Sequence, residues 1–574
     1  MKNKSTLAVS ILAISVLAAC GGGGGGHHDE ITYTDEYESL TALVADCSGA
    51  NCGSPKNAVY AGVGVGLWRY TNTTKDEVRV PVYLTNLKKN QPVTLVLTNQ
   101  RPTSTILPKD LVLSDPYDYP IQSSVRQSET ADAPAGLQNG DTAQHHNQIP
   151  SIVRNFDPAP VLKEAGKQGK IVPNFAQSPS LAYVVGHVRD WIVSDANDNL
   201  STRTAVLARQ DRAADGRIVN FWVENTEYGP GRITDSIINQ YATRFTLQPG
   251  SIYSIATQIA GQPWGNHRYS DLIDASQPLD IVFVNFDGNS KPYGLMGYFW
   301  AVNNFVKSAD PTSQYANSNE SLSIYIDTET AYLGGTLGMN EQLSTLAHEF
   351  THATNFYRRV VRKDAAMDSE ANSYDYQTFL EEMTAVMMED VVSVTAVPGY
   401  NATINGYYPN WMENMYYNCN LADWRMSNDC FSYDVVGSFG SFLLRQLGID
   451  FYQDLLNDFT SVESIAVLDH AIAHAGGTDL ATALQRWGST IALLPSTSPA
   501  GFAYPKRAND RGLTLQHIDG SWYTHLRRFP RYVPVNLEGF AHFPYQRFAD
   551  VNGVYAETIA VPANSSVSMV VLPQ

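Results

Sequence analysis

The stretch Leu346–Asn355, LAHEFTHATN, puts two histidines four residues apart, with a glutamate directly after the first. On a helix, residues i and i+4 share a face, so His348 and His352 can present imidazole nitrogens to one metal ion. Glu349 then stands beside such an ion rather than on it, where a carboxylate can take a proton from metal-bound water. Water is a poor nucleophile at neutral pH. Zinc lowers its pKa to about 7, and a neighbouring base handles the proton transfers. These residue types therefore point to hydrolysis, with zinc as cofactor, His348 and His352 as ligands and Glu349 as general base.

A catalytic zinc site needs a third protein ligand and keeps a fourth position for water. No histidine follows at the HExxHxxGxxH spacing, because positions 355 to 358 read Asn, Phe, Tyr, Arg. A carboxylate from a second helix is the remaining source. The run FLEEMTAVMMEDVV (Phe379 to Val392) has helical periodicity and offers Glu381 and Glu382. Phe379, Met383, Val386 and Met387 mark its core positions. Glu382 adjoins that face and Glu381 stacks with Ala385 and Met388, so periodicity leaves both open.

The elements that must position these groups are legible as changes of period. Leu343, Leu346, Phe350, Ala353, Tyr357 and Val360 recur every three or four residues, after Asn340 as an N-cap. Two apolar strands precede them, LDIVFVNF (Leu279 to Phe286) and SLSIYID (Ser321 to Asp327), and VVGSFGSFLLRQLG (Val435 to Gly448) is a further helix. Strands followed by helices make an α+β unit over residues 278–505. Upstream, VYAGVGVGLWRY, VRVPVYLTNL, PVTLVLTN, LAYVVGHVRDWIV, FWVEN and SIYSIATQI (Ser251 to Ile259) read as strands. They predict a β-rich N-terminal region over 57–277, a β-sandwich interrupted by a Pro- and Asn-rich insertion at about 128–180 that carries His145 and His146. Alternation returns in a small C-terminal β segment, 506–574. The turn SDANDN (Ser194 to Asn199) has oxygen ligands for calcium but lacks the spacing of a calcium loop, so a plain turn is expected.

The first residues carry an address. Lys2 and Lys4 precede an apolar run, Leu7 to Ala19, too short to span a bilayer, which ends in Leu17-Ala18-Ala19-Cys20. This is like a bacterial lipobox, with residues 1–19 as signal peptide and Cys20 as the lipid attachment. Six glycines and His27-His28 follow, a flexible tether within 20–56. The expected location is the cell envelope, anchored by lipid at the outer membrane or cell surface. Beyond Cys20 four cysteines remain, close in pairs, and an exported chain should join Cys47 to Cys52 and Cys419 to Cys430. The net charge of -18 lacks the basic surface that nucleic acid requires. Its 574 residues call for two or three domains.

The span from Leu279 to about Gly448 resembles the hyicolysin-type (M30) zinc metallopeptidases, within the wider group that uses HExxH plus a downstream glutamate. The shared features are IVFVNF, GYFW (Gly297 to Trp300), SIYID, LAHEFTHATNF and FLEEMTAVMMED. Related enzymes read W-L-N-E-G-x-A on the second helix. Setting Phe379-Leu380 on W-L implies Glu382 as third ligand, with Ala385 also matching. Glu381 stands where they have Asn and Met383 where they have Gly, which keeps Glu381 as the rival. The resemblance also implies Glu389 as a partner of a ligand histidine, and Tyr433, in SYDVVGSFGSFL, as a candidate for stabilising the oxyanion. It implies a zincin-like endopeptidase domain acting on protein or peptide, whose substrate could add as a strand beside GYFW or SIYID. Two alternatives compete: a surface adhesin or binding lipoprotein with a vestigial zinc site, and a zinc hydrolase of a non-protein amide.

Overall fold

The computed structural model describes residues 37–114, 149–156, 158, 162, 183–267, 269–362, 375–493 and 498–574. The signal segment, Cys20, His27, His28, His145, His146 and most of the 128–180 insertion lie outside the described residues.

Strands β1 (Val44–Ala45), β2 (Gly66–Asn72), β3 (Val78–Leu84) and β4 (Pro92–Asn99) come first. In β3 Val80, Val82 and Leu84 are buried while Arg79 and Pro81 are exposed, the period-two pattern of a strand with one wet face. Next, β5 (Val188–Ser194), β6 (Leu200–Arg212), β7 (Ile218–Glu224), β8 (Leu279–Val284), β9 (Gly297–Phe299) and β10 (Leu322–Asp327) form one six-stranded sheet. Its order is β9-β10-β8-β7-β6-β5. Strand β8 lies parallel to both β7 and β10. Covered on both faces, it is buried along its whole length and, apart from Asp280, apolar rather than alternating. Short β9 pairs antiparallel with β10 and ends the sheet.

Among the helices are α1 (Ile252–Ala260), α2 (Gly335–Asn355), α3 (Thr378–Val392), α4 (Ser432–Leu447) and α5 (Leu480–Ser489). Phe221, Ile281, Phe283 and Ile324 from one sheet face share a core with Leu343, Leu346 and Phe350 of α2, Met383 of α3 and Phe439 of α4. Trp222, Val282, Tyr298 and Tyr325 from the other face pack with Trp191 in a second core. The chain ends in β11 (His542–Phe548), β12 (Tyr555–Val561) and β13 (Ser565–Val571). Strand β13 lies between β2 and β4, giving the order β1-β2-β13-β4-β11, and β12 pairs with β3. Trp68, Val82, Leu95, Phe543, Ile559 and Met569 from these two sheets meet in one apolar cluster. A β-rich N-terminal part and a mixed α/β domain are thus both present.

Several expectations need correction. The sheets group the chain differently from the divisions 57–277, 278–505 and 506–574. Strands β5–β7 hydrogen-bond into the same sheet as β8, and the C-terminal strands complete the N-terminal sheet. Ser251–Ile259 is not a strand: Ser251 caps α1 by accepting from the Ser254 N–H, and Ile252, Ile255 and Ile259 fall on one buried helical face. Helix α2 begins at Gly335, so Asn340 is interior rather than an N-cap. SIYID is flanked on both sides, leaving the GYF segment as the sheet edge. In SDANDN the Asp195 carboxylate accepts from the N–H groups of Asn197 and Asn199, which closes a turn. Both disulfides, Cys47–Cys52 and Cys419–Cys430, are formed.

Candidate metal centre

Helix α2 passes under the edge strand β9, where Gly297 leaves room for Thr345: a Cβ at Gly297 would stand 3.2 Å from Thr345 Cγ2. Helix α3 packs against α2 on one side and α4 on the other. The contact with α4 is close because Gly440 faces α3, while Gly437 of the same helix faces Tyr407. A Cβ at Gly440 would lie 2.9 Å from Met383 and Met387, and one at Gly437 2.5 Å from the Tyr407 ring. Buried Asp390 fastens the two helices further, accepting from Ser441 Oγ at 2.6 Å, from Asn401 Nδ2 at 2.7 Å and from Arg445.

This packing brings His348, Glu349 and His352 together with Glu382, all buried except for a partly exposed His352. His348 Nδ1–H donates to Glu389 Oε1 at 2.8 Å, and His352 Nδ1–H donates to Glu381 Oε1 at 2.7 Å. With both Nδ1 atoms committed as donors, both Nε2 atoms are left to the same small space. Glu382 Oε2 reaches into it, 3.0 Å from His348 Nε2 and 3.5 Å from His352 Nε2. His352 Nε2 is buried without a hydrogen-bond partner. Two imidazole lone pairs and a carboxylate oxygen repel at such distances unless a cation or protons stand between them. Metal–ligand bonds of about 2.0–2.1 Å in a tetrahedron make edges of about 3.3–3.4 Å, a length these separations bracket. The nitrogen and oxygen donors fit a zinc-type ion.

His348, Glu349 and His352 also keep ligand atoms within 4.8 Å of one another. Glu349, however, is turned aside: its Oε2 accepts from the Phe299 N–H of β9 at 2.8 Å. Glu382 Oε2 thus stands within reach of both Nε2 atoms, whereas Glu349 is directed toward β9. Burial raises the Glu349 carboxyl above its usual range, against the lowering pull of His348 and His352. Burial by itself would push His348 down, but its hydrogen bonds to the Glu382 and Glu389 carboxylates lift it to about 9. His352 is held well above its usual value by Glu382 and Glu381, which outweigh its burial. Burial would raise Glu382, yet the two histidines keep it well below the ordinary carboxylate range. All three shifts say that the site favours positive charge at its centre.

Sequence reasoning missed three supports. Ser344 Oγ donates to Glu389 Oε2 at 2.8 Å, Asn355 Nδ2 to Glu381 Oε2 at 2.9 Å, and the Tyr407 hydroxyl to Glu389 Oε1 at 3.1 Å. Ser344 and Asn355 stand four residues before His348 and three after His352, spacings that could have revealed them. Tyr407 comes from a separate segment and carries no local signal. Tyr433 lies beside His348, ring centroids 6.1 Å apart, and packs edge-on against Trp424 at 4.8 Å.

A base beside two nitrogens and an oxygen that can share one cation is the machinery of water attack, and the class defined by this fold and site is the metal-dependent hydrolases. Comparison with known families narrows that class. The Peptidase M30 profile matches residues 198–572, most of the chain, and the protein belongs to that family; it is a metallopeptidase. Residues 45–110 match a domain of unknown function, DUF8571. No curated protein matches the chain.

Proposed function

We propose that the chain is an exported, zinc-dependent endopeptidase in which His348, His352 and Glu382 hold the metal and Glu349 is the general base. The observation that carries this reading is the meeting of the two Nε2 atoms with Glu382 Oε2, while the Phe299 N–H aims Glu349 to one side. Zinc, when bound, supplies the Lewis acidity that makes water a nucleophile at neutral pH. Glu349 takes the proton of the attacking water and delivers it to the leaving amine, work suited to a buried carboxyl of raised proton affinity. Glu381 and Glu389 fix the tautomer and direction of the ligand rings. Tyr433 is the proposed donor to the developing oxyanion, because its ring adjoins His348. The position of β9 at the end of the sheet, among the described residues, supports binding of substrate as an added strand.

Glu349→Gln tests the mechanism. It should keep zinc and lose about 10²–10⁴-fold in kcat/KM on casein-derived peptides; unchanged cleavage would refute the role of Glu349. The lipobox-like segment supports anchoring at the cell envelope through Cys20. Cys20→Ser should release the protein from membranes, and continued association would rule the anchor out.

A further inference from the structure

Glu341 is a buried acid that the metal centre does not use. It lies two turns before His348, and Glu341, Thr345, His348 and His352 follow one another at the i, i+4, i+7, i+11 spacing of a single helix face. The carboxyl is 7% exposed, and its Oε2 has no hydrogen-bond partner. No lysine, arginine or histidine forms an ion pair with it among the described residues, and burial alone raises its pKa to about 8. Tyr293 and Tyr400, both half-buried, feel its charge, which helps to raise their hydroxyls above the usual range. A buried, unpaired carboxyl is costly and persists where a partner arrives from outside.

We infer that Glu341, with the rings of Tyr293 and Tyr400, forms a substrate subsite that selects a lysine or arginine side chain. The inference rests on the endopeptidase reading of the same helix. Seven residues of helix advance about 10 Å, the length of about three residues of an extended peptide. Gly297 lies at Thr345 and Phe299 at Glu349, so β9 runs alongside this face and an added strand would carry its side chains past it. The basic residue is therefore about three positions from the bond that is cut. An arriving ammonium or guanidinium gives the carboxyl its missing partner.

The test uses zinc-loaded full-length protein and paired peptides with lysine or norleucine at each of the four positions on either side of the cleavage site. Lysine about three residues from that site should raise kcat/KM about 10–100-fold in the wild type, and Glu341→Gln should abolish the preference while cleaving norleucine peptides as before. Binding of the same pairs to the Glu349→Gln protein, followed by fluorescence anisotropy, gives a readout independent of turnover. Equal binding of lysine and norleucine peptides, or a lysine preference that survives Glu341→Gln, would overturn the inference. Lysine-selective binding without any hydrolysis by the wild type would uphold the subsite and refute the peptidase assignment instead.

Discussion

Glu381→Ala and Glu382→Ala remove neighbouring carboxylates from α3, yet the two variants should lose metal to very different extents. Glu382 Oε2 faces both Nε2 atoms, at 3.0 and 3.5 Å, and is almost fully buried. Apparent zinc affinities of about 10–16 kcal/mol, spread over four coordination positions, assign about 3–4 kcal/mol to one ligand, or about 10²–10³-fold. Glu381 instead accepts from His352 Nδ1, on the far side of the ring, and is 21% exposed. Its removal deprives His352 Nδ1 of its acceptor and Asn355 Nδ2 of one of two, the bond to Thr384 Oγ1 at 3.0 Å remaining. Loss of such an orienting partner costs about 10–100-fold in affinity. Competition with a zinc chelator of known affinity, with circular dichroism to confirm folding, measures both variants on one scale. A loss for Glu381→Ala that equals or exceeds that for Glu382→Ala would refute the geometry argued for the third ligand.

Two further outcomes follow from the packing. Gly437→Ala would drive a methyl into the Tyr407 ring, where the space is 2.5 Å, so it should destabilise the protein by about 1–3 kcal/mol in denaturant unfolding despite alanine's better helix propensity. It should also weaken zinc binding, through loss of the Tyr407–Glu389 bond. His542 pairs with Thr98, is fully buried against Trp411 and Trp487, and burial lowers its pKa from 6.5 to about 3. Below pH 6.5 the unfolded chain takes up a proton that the folded one refuses, so stability falls as pH drops from 6.5 toward 3, by up to about 1.4 kcal/mol per pH unit. His542→Gln should remove that slope between pH 6 and 4 in urea titrations, and an unchanged slope would show that His542 does not titrate as argued.

The parts of the site legible in the sequence were those set by local helix geometry. HExxH on one face of α2 follows from spacing alone, and so do Ser344 and Asn355 once the histidines are taken as the reference. Strand partnership was not legible, because pairing joins residues far apart in the chain. The run IVNFWVE at β7 is mostly apolar and buried nearly throughout, with Asn220 and Glu224 as its polar members, yet nothing local says that its neighbour is β8 rather than the N-terminal sheet. Likewise SSVSMVV reads as a strand, but only the fold inserts it between β2 and β4, whose residues lie nearly five hundred positions earlier. In Ser251–Ile259 β-branched residues suggested a strand, while the serine cap and the three- and four-residue isoleucine spacing decided for a helix.

The adjacent glutamates show why periodicity could not choose between them. Consecutive helix residues point about 100° apart, which ordinarily sends one inward and the other to solvent. Here the target is an imidazole with two nitrogens on different sides of its ring. His352 takes Glu381 at Nδ1 and lies 3.5 Å from Glu382 at Nε2, so both side chains on α3 find partners on one residue of α2. Adjacent glutamates can thus serve one histidine, each at a different ring nitrogen. The same arrangement couples the two roles, since any rotation of α3 that moved Glu382 off the Nε2 atoms would also break Glu381 from Nδ1. Asp390, bound to Arg445, Ser441 and Asn401 two turns farther along α3, resists that rotation. The buried ion pair thereby acts on the metal centre from a distance, through the helix it holds.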